Sequence, residues 1–393
     1  MSARMNKSFA LETQNLGAAG LLRPEIAVEL TADMQAQFGQ KDDLVNFVST
    51  DYLGWRNNEA VRESARQACA QYGTGCTSSR NSIGTQEILL DLEKRLAAFL
   101  GVEACIVFAS NYVAKMALFE PLMQRKDKIL IDEMCDPGLL DGSRMCDAGI
   151  VTYYHNDDEH LEYHLKCSQN FRFRLIVSDG VFSTDGQLAN LERIQNLQKT
   201  YDAELLLDES LALGILGDNG RGSCSHLQLE RQADLLTGSF AYALGNVAGG
   251  FVAGSAELIG WLRHTSRAYL LSEPLSPIHA ATVLKVLDLL EAGDAPIKRL
   301  DAVSERLKEA VRQKGWKLID SDHPMVSINV GSTLNAQRMV EHLFAHDLIV
   351  SGLCYPNTPE GESLIRIVPT VEHSDAQIDA LVGAIDQGYR LLE

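Results

Sequence analysis

Few side chains of this sequence stand where they could do chemistry, and most of them are carboxylates and hydroxyls. Asp208 follows the apolar run Leu205-Leu206-Leu207. A carboxylate at the end of a buried strand either caps a turn or helix or carries its charge into a site. Ser110-Asn111-Tyr112 follows another apolar run and opens a helical pattern. The free N–H groups of a helix start favour an anion there, and the same residues also make ordinary caps. Ser239, after Leu235-Leu236-Thr237, offers a hydroxyl in the same two senses. Lys115 follows the Ser110 turn and reads as a helix-surface or ion-paired lysine. The eight cysteines make no CxxC pair, and no Cys/His cluster has the spacing of a zinc site, so no metal is expected.

The elements that position these groups are legible in the hydrophobic pattern. Short apolar runs, four to six residues long, occur at Cys105–Ala109, Lys128–Ile131, Ile150–Tyr153, Leu175–Ser178, Glu204–Leu207, Leu235–Thr237 and Phe251–Ala253. Runs apolar on both faces suit strands of a sheet covered on both sides. Amphipathic helices alternate with them. The clearest is Gln86–Leu100, with Ile88, Leu89, Leu92, Leu96, Phe99 and Leu100 on one stripe. The alternation predicts an α/β fold with a mostly parallel sheet between helices. Helices at 278–292 and 296–314 lead into a smaller α+β part, with strands at Val326–Val330 and Leu364–Val368 and a closing helix at Ser374–Leu391. The pattern divides the chain into a helical N-terminal arm (1–44), a large domain (45–291) and a small C-terminal α+β domain (292–393).

Bulk properties exclude several function classes. A net charge of −18 repels a nucleic-acid backbone, so DNA and RNA are not expected partners. The apolar runs are too short to span a bilayer, and the N-terminus lacks the apolar core of a signal peptide. Unpaired cysteines in apolar runs, such as Cys105, suit a reducing cytoplasm.

Three segments together carry a family resemblance. They are Ser178-Asp179-Gly180-Val181-Phe182-Ser183-Thr184-Asp185-Gly186; Leu206-Leu207-Asp208-Glu209-Ser210-Leu211-Ala212-Leu213-Gly214 with the following Gly217–Gly222; and Thr237-Gly238-Ser239-Phe240-Ala241-Tyr242-Ala243-Leu244-Gly245 ending in Ala248-Gly249-Gly250. In this order and spacing the chain, from about Asn46 onward, resembles the α-oxoamine synthases of the fold-type-I pyridoxal phosphate superfamily. The resemblance implies decarboxylative condensation of an amino acid with an acyl thioester, with the pyridoxal ring as electron sink. It places Asp208 against the ring nitrogen. It places Ser110, Asn111, Tyr112 and Ser239 around the cofactor phosphate.

Several of the family's chemical positions are altered. The Schiff-base lysine falls on Tyr242, and a phenol cannot form an imine. The histidine that stacks on the ring falls on Asp136, and a second histidine near the ring hydroxyl falls on Leu211. An arginine for the substrate carboxylate, expected near Cys354 or Tyr355, is absent there. The Ser-Thr pair that family members offer to the partner subunit's phosphate reads Ser272-Glu273, and a carboxylate beside a phosphate is repulsive. No catalytic residue is therefore expected to be intact, although Gly180, Gly186, Gly214, Gly245, Gly249 and Gly250 remain.

This pattern resembles the lysine-less subunit of serine palmitoyltransferase, also at Tyr72–Gly75, Asp91–Leu96 and Ile365–Val368. The implied function is a catalytically deficient subunit that supports a lysine-bearing synthase acting on an acyl-CoA or acyl carrier and an amino acid. Two alternatives stand beside it. One is altered chemistry on pyridoxal phosphate, or another ligand, held without an imine. The other is a non-enzymatic scaffolding or regulatory homodimer. Pyridoxal phosphate is accordingly expected to be bound non-covalently or lost, and the chain to be a homodimer or heterodimer.

Overall fold

The computed structural model describes residues 3–18, 25, 28–30, 35–38, 41–229, 233–355 and 357–392. The central sheet has seven strands, numbered here in chain order. They are β1 (Ala104–Phe108), β2 (Lys128–Asp132), β3 (Gly149–Tyr153), β4 (Arg174–Asp179), β5 (Glu204–Asp208), β6 (Leu235–Ser239) and β7 (Gly250–Gly254). All seven expected runs form strands, and they lie in the order β1-β7-β6-β5-β4-β2-β3. Only β7 runs antiparallel to its neighbours.

The expectation that both faces of every run are covered fails at the edge. In β3, Ile150 is exposed, because an edge strand with one neighbour is less completely roofed by helices. In β4 and β6 every residue is buried.

The helix Glu87–Leu100 presents its predicted apolar stripe to the core and ends on Gly101 in the left-handed region at φ 69°. Its buried face also carries Glu93. That carboxylate forms an ion pair with Arg80 Nη2 at 3.0 Å and accepts from Arg263 Nη2 at 2.7 Å and the Val107 N–H at 3.2 Å. It therefore ties the helix to β1 and to the Ala256–Thr265 helix.

The N-terminal arm differs from the all-helical expectation. Ala3–Ala18 is a helix, but Val28–Leu30, Gln35–Phe38 and Lys41–Asn46 are strands. The last of these pairs in parallel with Leu348–Ile349, far along the chain. The C-terminal part has its own antiparallel sheet, in the order Lys317–Ile319, Val326–Gly331, Ser363–Ile367, Ser351–Leu353. The closing helix Asp375–Tyr389 starts with a full capping box between Ser374 and Gln377.

Two hydrophobic cores result. One takes in residues from Tyr52 to Leu300 together with Met325, Val368 and Val371; the other joins Phe47 to residues between Leu307 and Ile385. Among the described residues no helix is long and apolar enough to cross a membrane.

Loops at the carboxyl ends of the strands are held by His155. Its Nδ1 lies 3.1 Å from Asp132 Oδ1, and its Nε2 lies 3.4 Å from Asp185 Oδ2. Burial opposes the imidazolium, but hydrogen bonds to the two carboxylates outweigh it and raise the pKa to about 9.

Two predictions follow from these buried charges. Glu93→Ala leaves Arg80 and Arg263 without the acid that they share. It should cost about 3–5 kcal/mol of stability in chemical denaturation, a figure typical of breaking a buried pair. For His155 the folded pKa lies above the ordinary value of 6.5, so its stabilisation is complete below that pH and is lost as pH rises through about 9. The stability gap between the native chain and His155→Gln should therefore be largest near pH 6 and shrink, by on the order of 2 kcal/mol, toward pH 10. Thermal unfolding across that range checks it; a pH-independent gap would contradict the assignment.

Candidate functional site

Parallel pairing brings the polar strand ends into one row. Asp132 ends β2, Asp179 ends β4, Asp208 ends β5 and Ser239 ends β6. Asp179 and Asp208 are register partners on adjacent strands, so two buried carboxyl groups lie side by side. Like-charged neighbours without water cannot both stay ionised cheaply. Burial, and then the charge of Asp208, pushes the Asp179 carboxyl well above the ordinary range.

A cation answers this row. Lys115 sits on the helix Asn111–Leu122, one turn beyond Asn111, so both side chains share a face. Its side chain is 1% exposed. The ammonium forms an ion pair with Asp208 Oδ2 and another, at 2.9 Å, with Asp136 Oδ1. Burial disfavours the charge on Lys115, yet Asp208, Asp136 and Asp179 together raise its pKa. The ion-paired reading of this lysine is thus upheld, and the helix-surface reading is overturned. Asp208 Oδ1 accepts from the Ser210 N–H at 2.7 Å, which leaves Oδ2 to the ammonium.

Asp136 is the N-cap of the short helix Pro137–Ser143 and accepts from the Gly138 N–H at 2.7 Å. Its own N–H donates to Asp179. Gly138 permits this closeness. A Cβ there would lie 2.9 Å from Asp136 Oδ1 and 3.0 Å from Lys115 Cδ. Gly250 is needed similarly, since its Cβ would fall 2.5 Å from Asn111 Cα.

Ser110 is the N-cap of the Lys115 helix, but its hydroxyl caps nothing. The Asn111 carboxamide lies between Ser210 Oγ, the Gly238 carbonyl and Lys115. With its oxygen toward the ammonium at 3.1 Å and its nitrogen toward Gly238 O at 3.2 Å, both ends are satisfied. Tyr112 points outward and donates to Asp141 Oδ2 at 3.2 Å. Ser239 Oγ accepts from the Ala241 N–H at 3.1 Å, shaping the turn that delivers Tyr242.

Tyr242 joins the same cluster. Burial first, and then Asp208 and Asp136, raise its pKa, while Lys115 and Arg366 act in the opposite sense. Leu211 is buried, and its carbonyl accepts from His323 Nε2 at 3.1 Å. Burial depresses His323 to about 3, so this histidine is neutral and structural.

Two residues escaped the sequence reading as site groups. Lys115 is one; its signal was a charge inside the apolar stretch Ala114–Phe119. Arg366 is the other. No arginine comes from Cys354 or Tyr355, and Tyr355 is exposed. Arg366, in the Ser363–Ile367 strand, donates to the Ser183 carbonyl at 2.5 Å and lies close enough to act on Tyr242 and Tyr52. It thus supplies a cation from a different strand.

The cluster does not fit a pyridoxal ring held in the family's manner. The Asp208 carboxylate already faces the Lys115 ammonium. Asp136 brings a second carboxylate to the ammonium and Tyr242 brings a phenol, so neither offers an aromatic imidazole or an amine to a bound ring. Two clefts, of about 640 and 1460 Å³, open elsewhere, and neither is lined by Lys115, Asp208 or Tyr242.

Two histidine pairs do stand one helical turn apart, His160/His164 and His342/His346. The Nε2 atoms of the first pair lie 2.9 Å apart. His160 Nδ1 accepts from the Tyr154 N–H, which leaves the ring proton on Nε2, facing His164. His342 and His346 each face a backbone carbonyl instead. Among the described residues no three His, Cys, Asp or Glu side chains gather as a metal site. All eight cysteines are free, four of them buried.

Comparison with known proteins places this geometry. The model of the aminotransferase class I and II family matches residues 42–385. The 2-amino-3-ketobutyrate coenzyme A ligase of Escherichia coli K12 is 35% identical, over 98% of this chain and 97% of the relative. The 8-amino-7-oxononanoate synthase of Thermoanaerobacter pseudethanolicus is 32% identical, over 95% and 94%. The structure of Sphingomonas wittichii serine palmitoyltransferase superposes with a TM-score of 0.89 at 27% identity, covering 99% of this chain and 98% of that one. The chain belongs to the class I and II aminotransferase family and, within it, to the α-oxoamine synthases.

Proposed function

We propose that this chain is a catalytically deficient subunit of an α-oxoamine synthase. It completes and supports a lysine-bearing partner that condenses an acyl thioester with an amino acid and releases carbon dioxide. The observation that carries this reading is the ion cluster at Asp208. The carboxylate most tied to the family's chemistry is paired with Lys115, beside a phenol where an amine would react. The reaction type comes from the relatives named above, a coenzyme A ligase, an oxononanoate synthase and a palmitoyltransferase.

Exposed apolar groups support a role in assembly. Ile83 is 80% exposed and Leu271 is 74% exposed. Every described side chain from Arg4 to Ala18 is exposed, and Met5, Phe9 and Leu16 fall within about 40° of one another on that helix. Such a stripe is more favourable under a second chain than in water.

Co-expression with a lysine-bearing homologue, followed by light scattering, tests the assembly. A dimer is expected, burying more than about 2,000 Å² in total. A chain that stays monomeric with every such homologue would remove the subunit reading. A self-associating chain that ignores them would favour the scaffolding homodimer.

The chemistry is tested at Tyr242. Borohydride treatment with pyridoxal phosphate should fix no cofactor at the site, and an adduct on Lys115 would contradict the reading. Tyr242→Lys should not restore condensation activity. A second ammonium would then meet Lys115, and Asp136 and Leu211 still supply neither a stacking ring nor a hydrogen-bonding imidazole. Steady turnover by that single variant would show that the lysine was the only loss.

A further inference from the structure

Asp208 is buried at the end of β5, and among the described residues its Oδ2 is given one ion-pair partner, Lys115. In a pyridoxal enzyme a carboxylate so placed pairs with the protonated ring nitrogen. A buried carboxylate without a cation is costly, so a chain that dispenses with the ring needs a replacement charge. Lys115 meets each requirement of that replacement. It approaches from the helix Asn111–Leu122, whose first turn would otherwise face a phosphate. It is as buried as the acid that it neutralises. Asn111 and Asp136 take further hydrogen-bonding positions around the ammonium, and Gly138 leaves room for its methylenes. Helix, cap residue and glycine thus cooperate to hold one ammonium in one place.

We propose that Lys115 is a built-in counter-ion standing where the cofactor's ring nitrogen would bind, so that this chain closes its own cofactor pocket and folds without pyridoxal phosphate. This rests on the deficient-subunit reading and deepens it, because it identifies the group that keeps the ligand out. The site is a self-satisfied ion cluster. An entering pyridinium would have to displace an ammonium that has no water to move into.

Equilibrium dialysis of the purified chain against pyridoxal phosphate tests this. The native chain should show no saturable binding of one equivalent up to millimolar ligand. Lys115→Met removes the competing charge and frees Asp208, and it should bind one equivalent reversibly, at least about tenfold more tightly than any binding by the native chain. The double variant Lys115→Met/Asp208→Asn removes both charges and should fold without binding. If Lys115→Met is too unstable to fold alone, pyridoxal phosphate added during refolding should rescue it and should not rescue the double variant. Saturable binding by the native chain overturns the proposal. So does a folded Lys115→Met chain with no gain in affinity, or an unfolded one that the ligand cannot rescue. These measurements use the chain alone and report on the pocket, whereas the search for a lysine-bearing partner reports on the subunit role, so the two failures are distinguishable.

Discussion

A buried ammonium among carboxylates sets the terms for the ends of the central strands. Parallel pairing aligns Asp179 with Asp208, and the cap of the Pro137–Ser143 helix adds Asp136. Three acids in so small and dry a space would repel one another and draw in water. Lys115 gives that group a positive centre. Asp179 adds a second accommodation by favouring its protonated form. The neighbouring geometry follows from holding the ammonium still. Asn111 turns its carboxamide inward, Gly138 stays small, and Gly250 lets the Asn111 backbone approach.

The fold was readable from the sequence because burial imposes a period. Each run from Cys105 to Ala253 formed a strand, and the Gln86–Leu100 stripe met the condition of a helix on a core. The N-terminal arm was less readable. Beside its neighbour Gln35–Phe38, the strand Lys41–Asn46 pairs with Leu348–Ile349 far along the chain, and no local pattern announces so distant a pairing. The edge strand β3 kept its strand form but not its full cover, since position within a sheet is a tertiary property.

The site was readable where it rested on quoted motifs, and opaque where it rested on charge. Asp208, Asp136, Tyr242 and Leu211 stand out in the sequence because each sits in a segment whose spacing can be followed. Lys115 was noticed, but its burial could not be inferred from a single basic residue on a helix. The burial depends on two strand ends and a cap that converge only in three dimensions. Arg366 was overlooked as a site group for the same reason, being carried by a strand of the smaller sheet and reaching across to the Ser183 carbonyl.

The position of Lys115 has a consequence for supply. A protein whose pocket is filled by a diffusible ligand gains stability with the logarithm of that ligand's concentration, and loses it under scarcity. A side chain fixed in the same pocket is always present at one copy per molecule. Its contribution is independent of how much vitamin-derived cofactor the surroundings provide. On the proposed reading, such a chain reaches its final shape while a cofactor-dependent relative is still waiting to be loaded, and offers that relative a finished surface on which to settle.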